Sequence, residues 1–260
     1  MKIGRRSLIT FIKKILSIDN YKAITKFKNV HEKVFKSIYQ EIFSSGKFPR
    51  KIKFKTPIGK FEIEIYSAQD FSTFNLVFCR EDYYTPKNFE VVVDIGSNIG
   101  SSAIYWLTRN NHSKIYCYEP STSNFEKLKN NLRGFNSRCF LYKQAVSNFN
   151  GVGYLNLEKT GTYSSLNIKK ENHEFCDKEK VEVININDCL KKILEENDRI
   201  DILKIDNEGE ELKTVSSIDN RYWQFIRSIS VDGDNVSKYV PADFKNNIVG
   251  SAQRFYRTNN

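Results

Sequence analysis

Apolar positions in this chain fall into two patterns, short unbroken runs and stripes at helical spacing, and the two alternate through most of its length. The run Val91-Val92-Val93 reads as a strand buried on both faces of a parallel sheet. It ends in Asp94, turns through Gly96 and Gly100, and gives way to Ile99, Ala103, Ile104 and Leu107 on one helix face. Lys114 to Glu119 is a second strand. Ser123 and Glu126 form a capping box that opens a helix striped by Phe125, Leu128 and Leu132. Cys139 to Lys143 is a third strand, followed by Gln144-Ala145-Val146-Ser147. Val152 to Leu157 and Ser165 to Ile168 read as an added hairpin around Gly161 to Ser164. Val181 to Ile186 is a strand, and Asn187 caps a short helix through Leu194. Ile200 to Asp206 is the next core strand, leading into a helix with Leu212, Val215 and Ile218. Ser228 to Asp232 is another, and Ala252 to Thr258 supplies about one more.

The first quarter has a different texture. Leu8, Phe11, Ile12, Ile15 and Ile18 share a helix face with Lys13 and Lys14 off it. A second helix over 20–46 is marked by Ile24, Phe27, Val30, Val34, Ile38 and Phe43 and stopped by Gly46 and Pro49. Lys51 to Tyr66 alternates around Pro57-Ile58-Gly59, a hairpin signal. Asp70 to Thr85 carries Phe71, Phe74, Leu76, Phe78, Tyr83 and Tyr84, and is expected to lid the site or pack beneath it. Charge sharpens the division. Of 260 residues, the first 60 hold 16 Lys and Arg against 3 Asp and Glu, and the other 200 hold 25 against 28. This predicts a basic, mostly helical extension over 1–55 and a catalytic domain over 56–260. The basic end suits a polyanion, either nucleic acid or an anionic membrane surface. It equally reads as a solvated Lys-rich arm, or as a helix packed on the domain.

No apolar run approaches the roughly 20 residues that span a bilayer. The five cysteines include no C-x-x-C pair, and His173 with Cys176 is too little for a zinc site. Reduced thiols in a cytoplasmic protein are the expectation, with contact at the inner face of the membrane through the basic end as a further option. His112 and His173 fall in polar loops and are read as surface residues.

The chemistry collects at strand ends. A dinucleotide fingerprint would be G-x-G-x-x-G with no acid at the strand end, whereas this chain has D-x-G-x-x-x-G over Asp94 to Gly100. Asp94 would repel a pyrophosphate and suit a positively charged ligand, such as the ammonium and sulfonium of S-adenosylmethionine. Glu119, 19 residues after Gly100, is placed to accept hydrogen bonds from both hydroxyls of a ribose. Asp94, Glu119, Gln144, Asp206 and Asp232 all end core strands, so they share the edge where open α/β sheets bind ligands.

These residues resemble the FkbM family of S-adenosylmethionine-dependent methyltransferases. The resemblance rests on Asp94-Ile95-Gly96-Ser97-Asn98-Ile99-Gly100, Glu119-Pro120-Ser121 with Asn124-Phe125, Ala145-Val146-Ser147, and Leu203-Lys204-Ile205-Asp206-Asn207-Glu208-Gly209-Glu210-Glu211. The last block is similar to the family's K-I-D-x-E-G-x-E signature. The resemblance spans about residues 60 to 235 and leaves out the basic arm. It implies a Rossmann-like class I methyltransferase fold, with a mostly parallel central sheet flanked by helices. It also implies methylation of a hydroxyl on a sugar or polyketide-type product, often within polysaccharide or glycolipid assembly, with O-methylation of a sugar, glycan or glycolipid-type acceptor as the expectation. With only one strand after Asp232, the closing antiparallel pair of that sheet is not expected in full. The implied cofactor set is Asp94, Gly96, Ser97, Asn98, Gly100, Glu119, Pro120, Ser121, Gln144, Ala145 and Asp206. Asp206, and after it Glu208, are the candidates for orienting or deprotonating the acceptor. Acids at a helix start such as Glu208 are also explained by helix electrostatics alone. Asp206 with Asp232 and Asn235 could instead hold Mg²⁺. The competing functions are an RNA methyltransferase using the basic arm and a non-catalytic S-adenosylmethionine-binding module.

Overall fold

The computed structural model describes residues 2–3, 6–7, 26–35, 37, 46–157, 164–165, 178–207 and 209–257. The helix expected over 8–18, much of that over 20–46, the tip of the added hairpin, Ile168, His173, Cys176 and Glu208 lie outside the described residues. The chain divides into two compact units, one of residues 1–82 with 108–111, the other of residues 83–107 with 112–260.

The first unit is built on an antiparallel hairpin, β1 (Arg50–Thr56) and β2 (Gly59–Ile65). Alternation puts Ile52, Phe54, Ile63 and Ile65 inside and Lys51, Lys53 and Lys55 outside. The helix α1 (Ala68–Asn75) starts at Ser67, whose hydroxyl accepts the Asp70 N–H at 3.0 Å. Phe54, Phe74 and Phe78 meet with ring centroids 4.3 to 5.2 Å apart. Phe71, Phe74 and Phe78 of the aromatic stretch are therefore core residues of this unit. His31 stacks on Phe27, bonds Asn75 Oδ1 at 2.7 Å and is driven down to a pKa of about 4 by burial.

The second unit holds a seven-stranded sheet. Its strands and helices, in chain order, are β3 (Val91–Ile95), α2 (Ser101–Leu107), β4 (Lys114–Tyr118), α3 (Thr122–Leu132) and β5 (Cys139–Tyr142). A small second sheet follows, made of β6 (Ala145–Ser147), β7 (Gly151–Leu157), β8 (Ser164–Ser165) and β9 (Lys178–Asn185), in the order β8-β7-β9-β6. Next come α4 (Ile186–Leu194), β10 (Ile202–Ile205), α5 (Glu211–Ser216), α6 (Asn220–Trp223), β11 (Ser228–Val231), β12 (Lys245–Val249) and β13 (Ala252–Tyr256). The main sheet runs β12-β13-β11-β10-β3-β4-β5. Its five strands from β11 to β5 are parallel, and β13 and β12 join antiparallel. Val93, Ile95, Tyr116, Tyr118, Leu203, Ile205, Ile229 and Val231 face one core, covered by Ile186, Leu190 and Ile193 of α4 and by Val215, Tyr222 and Trp223.

Three local expectations are corrected. The closing antiparallel pair is complete: β12 is an edge strand exposed at four of its five positions, so it carries no apolar period to read. The helix α3 starts one residue before Ser123, at Thr122, after Ser121 and without a side-chain cap. Asn185, not Asn187, caps α4 by accepting the Asn187 N–H at 2.9 Å.

Candidate active site

The β3 tip, its turn and the β10 tip lock together. Gly96 has φ +77°, and a Cβ there would lie 1.8 Å from the Asp206 carbonyl oxygen, so only glycine fits. The Asp206 N–H donates to Ile95 O at 3.1 Å. Gly100, at φ +93°, would place a Cβ 2.9 Å from Leu128 Cδ1, so its missing side chain makes room for the packing of α2 on α3.

Donors of the turn are used within the chain. The Gly96 and Ser97 N–H groups both donate to Tyr118 O (2.9 and 3.1 Å), Asn98 N–H donates to Glu119 Oε2 (2.8 Å), and Gly100 N–H donates to Ser97 O (2.8 Å). A pyrophosphate needs such N–H groups pointing outward. This turn directs four of them inward, and it suits a ligand whose charge is positive.

Glu119 follows β4 directly and is buried. Its Oε1 accepts the Ser121 N–H at 3.0 Å and its Oε2 the Asn98 N–H. Burial pushes its pKa up to about 7, against the opposing pull of the two backbone donors and the charge of Lys204. Each oxygen keeps a lone pair beyond its backbone bond, as acceptance of ribose hydroxyls requires.

Asp94 and Lys204 are cross-strand partners in the register of β3 with β10, and both are buried inside the sheet. Lys204 Nζ sits 3.2 Å from Asp94 Oδ1 and 3.3 Å from Asp206 Oδ2, and donates to Gly96 O at 2.6 Å. Burial works to lower the Lys204 pKa, but Asp94 and then Asp206 more than offset it, so the side chain is held as an ammonium. The Ser102 hydroxyl donates to Asp94 Oδ2 at 2.6 Å. Asp94 thus has a cation and a donor from its own chain, and with Asp206 and Lys204 it forms a group of net charge −1. The Tyr83 hydroxyl donates to Asp206 Oδ2 at 3.1 Å.

The expected residues therefore gather at one edge. Asp94, Gly96, Ser97, Asn98, Glu119, Ser121 and Asp206 are joined by direct bonds or backbone contact. Pro120 links Glu119 to Ser121, and Ala145 is buried in β6. Gln144 donates to Glu182 Oε1 at 2.8 Å on an exposed surface. Beyond Glu208, the Glu211 carboxylate receives the Gly209 N–H on both oxygens (3.0 and 2.9 Å). The acid named for catalysis alongside Asp206 thus has no described geometry, while the signature's last acid braces the loop. Three participants were given no role by sequence reasoning: Lys204, which opens the signature; Tyr83, which falls in the aromatic stretch expected to lid the site or pack beneath it; and Ser102. For Lys204 a signal existed, a lysine inside the buried run Ile202 to Ile205, which needs a partner acid on a neighbouring strand.

Among the described residues no three His, Cys, Asp or Glu side chains gather in a group able to hold a metal ion, and Mg²⁺ gains no support. No helix of the described residues is long and apolar enough to cross a membrane.

A parallel sheet closed by an antiparallel pair, with acids on its carboxyl edge and an inward-bonded glycine turn, defines a Rossmann-like class I methyltransferase. The chain belongs to the FkbM methyltransferase family: the family model described as "Methyltransferase FkbM domain" matches residues 94–233. It is 26% identical over 181 residues to Methyltransferase sdnD of Sordaria araneosa, covering 59% of this chain and 70% of that protein. It is 23% identical over 208 residues to Methyltransferase 1 of Beauveria bassiana, covering 69% and 76%. A methyltransferase from Geobacter sulfurreducens of known structure overlaps loosely, with a TM-score of 0.37 and 14% identity over 66% of this chain and 73% of that one. The chain is a methyltransferase, and its family implies S-adenosylmethionine as the methyl donor.

Proposed function

We propose that this protein transfers a methyl group from S-adenosylmethionine to a hydroxyl of a sugar, glycan or glycolipid-type acceptor. The observation that carries the reading is Glu119, a buried acid tied by Asn98 to the glycine turn, beside a group of net charge −1 built from Asp94, Lys204 and Asp206. In this reading Glu119 accepts the ribose hydroxyls, Ser121 and Asn98 hold its carboxylate still, and Gln144 and Ala145 lie along the base. When bound, S-adenosylmethionine supplies a methyl group on a sulfonium, already activated for in-line transfer. The protein's share is to position the two partners. Asp206 and Glu208 are the two candidate acids: one faces the cofactor, and the other orients the acceptor hydroxyl and takes its proton as the new bond forms.

The test is to incubate the protein with methyl-labelled S-adenosylmethionine and panels of sugars, oligosaccharides and glycolipids. The expected result is label in a product whose mass rises by one methyl group, with the methyl assigned to oxygen by NMR. Label transferred only to RNA, or only to nitrogen, would overturn the reading.

The basic N-terminal quarter is read as a contact for anionic lipid headgroups. The outward Lys51, Lys53 and Lys55 of β1 favour it. Removing residues 1–18 is expected to reduce sedimentation with phosphatidylserine liposomes at low salt and to spare cofactor binding. Full-length protein that ignores such liposomes contradicts it.

A further inference from the structure

Asp206 is held unevenly. Its Oδ2 receives the Tyr83 hydroxyl at 3.1 Å and faces Lys204 Nζ at 3.3 Å, while among the described residues no hydrogen bond reaches its Oδ1. The side chain is 26% exposed, against 3% for Lys204 and 0% for Asp94. Lys204 Nζ also lies 5.5 Å from the centre of the Tyr83 ring. One oxygen of the carboxylate is thus fixed from two directions by groups of different chemistry, a phenol and an ammonium. Fixing Oδ2 also fixes the plane of the carboxylate, and with it the direction in which Oδ1 points.

We propose that Lys204 and Tyr83 are positioning residues that jointly clamp Oδ2 of Asp206, so that the carboxylate presents Oδ1 to the positive charge of the bound cofactor. The proposal rests on the S-adenosylmethionine reading above. Lys204 has a second function in the same contact: by bonding Gly96 O it ties the turn to the β10 tip. Neither residue needs to touch the cofactor, and each acts through Asp206.

That last point is what a double-mutant cycle measures. S-adenosylhomocysteine, which carries the ammonium, is titrated by calorimetry into the full chain and into Tyr83→Phe, Asp206→Asn and their double variant. Tyr83→Phe keeps the ring and removes only the donor. It is expected to weaken binding about fivefold in the otherwise unchanged protein and less than about twofold in the Asp206→Asn background, because coupled neighbours are not additive. Lys204→Met is run through the same cycle. Should it fail to fold, because Asp94 has lost its cation, Tyr83→Phe still decides. An equal loss in both backgrounds means that Tyr83 acts by packing and overturns the proposal. So does a Tyr83→Phe variant that binds normally. An Asp206→Asn variant with unchanged affinity also overturns it, yet leaves the cofactor reading standing. Absence of binding by the unsubstituted protein removes that reading, and the proposal with it.

Discussion

Two acids at opposite ends of one strand show what separates structure from chemistry in this fold. Asp201 precedes β10 and Asp206 follows it. Asp201 is wholly buried: its Oδ2 accepts the N–H groups of Glu90 (2.8 Å) and Val91 (3.1 Å), and its Oδ1 faces Arg199 Nε (2.8 Å) and Arg227 Nη1 (2.9 Å). Burial works to raise its pKa, but the backbone donors and the two arginines outweigh that and hold it below the usual value. Nothing on that carboxylate is left to offer. Asp206 has its two donors on one oxygen and, among the described residues, no hydrogen bond on the other. The carboxyl edge also carries Glu119, whose pKa is driven the opposite way by burial. A fully bonded acid braces the sheet, while the partly bonded acids mark the site.

Substitutions sharpen this contrast, beginning with the largest expected effect. Asp201→Asn takes the buried anion away from Arg227 and the half-exposed Arg199, and should lower stability by about 3–5 kcal/mol in urea melts. S-adenosylhomocysteine affinity of the folded fraction should stay within about twofold. A stable variant with impaired binding would erase the distinction between the two ends. Gly96→Ala places a methyl group against the Asp206 carbonyl at positive φ, so both the fold and the site should suffer. A loss of about 2–3 kcal/mol is expected, together with loss of adenosyl binding. Normal binding by Gly96→Ala would mean that the turn is looser than described.

The most diagnostic effect, read from its pH dependence, belongs to Glu119. Its folded pKa of about 7 lies above that of an unfolded glutamate, so its stabilising contribution is full below about pH 4.5 and is lost as pH rises through 7. The melting temperature of the wild type should therefore fall relative to that of Glu119→Gln between about pH 5.5 and 8. Over the same interval its affinity for S-adenosylhomocysteine should rise, since the ionised carboxylate is the better acceptor. A gap in melting temperature that stays constant with pH contradicts the assignment.

Much of this was legible in the sequence because parallel strands are continuous apolar runs and their ends carry the polar residues. Asp94, Glu119 and Asp206 needed only the rule that all such ends share an edge. What stayed hidden depended on register or on other parts of the chain. Val91 to Asp94 and Ile202 to Asp206 do not reveal that Asp94 faces Lys204, because a shift of one residue would send each side chain to the other face. Tyr83 reaches Asp206 across 123 positions of sequence, and no periodicity announces such a bond. Asp201 looked like one more residue of a core strand, since its partners Glu90, Val91, Arg199 and Arg227 converge only when the sheet is assembled. The edge strand β12 was invisible for the opposite reason, having no buried face to imprint a pattern.

The measurement that bears most directly on the central claim is a calorimetric titration of S-adenosylhomocysteine and NAD⁺ into the same preparation of the full chain, repeated with Glu119→Gln. The account predicts micromolar binding of S-adenosylhomocysteine, at least about tenfold weaker in the variant, and no binding of NAD⁺, whose pyrophosphate meets a turn with its N–H groups directed inward. Binding of NAD⁺, or S-adenosylhomocysteine affinity indifferent to Glu119, would contradict it.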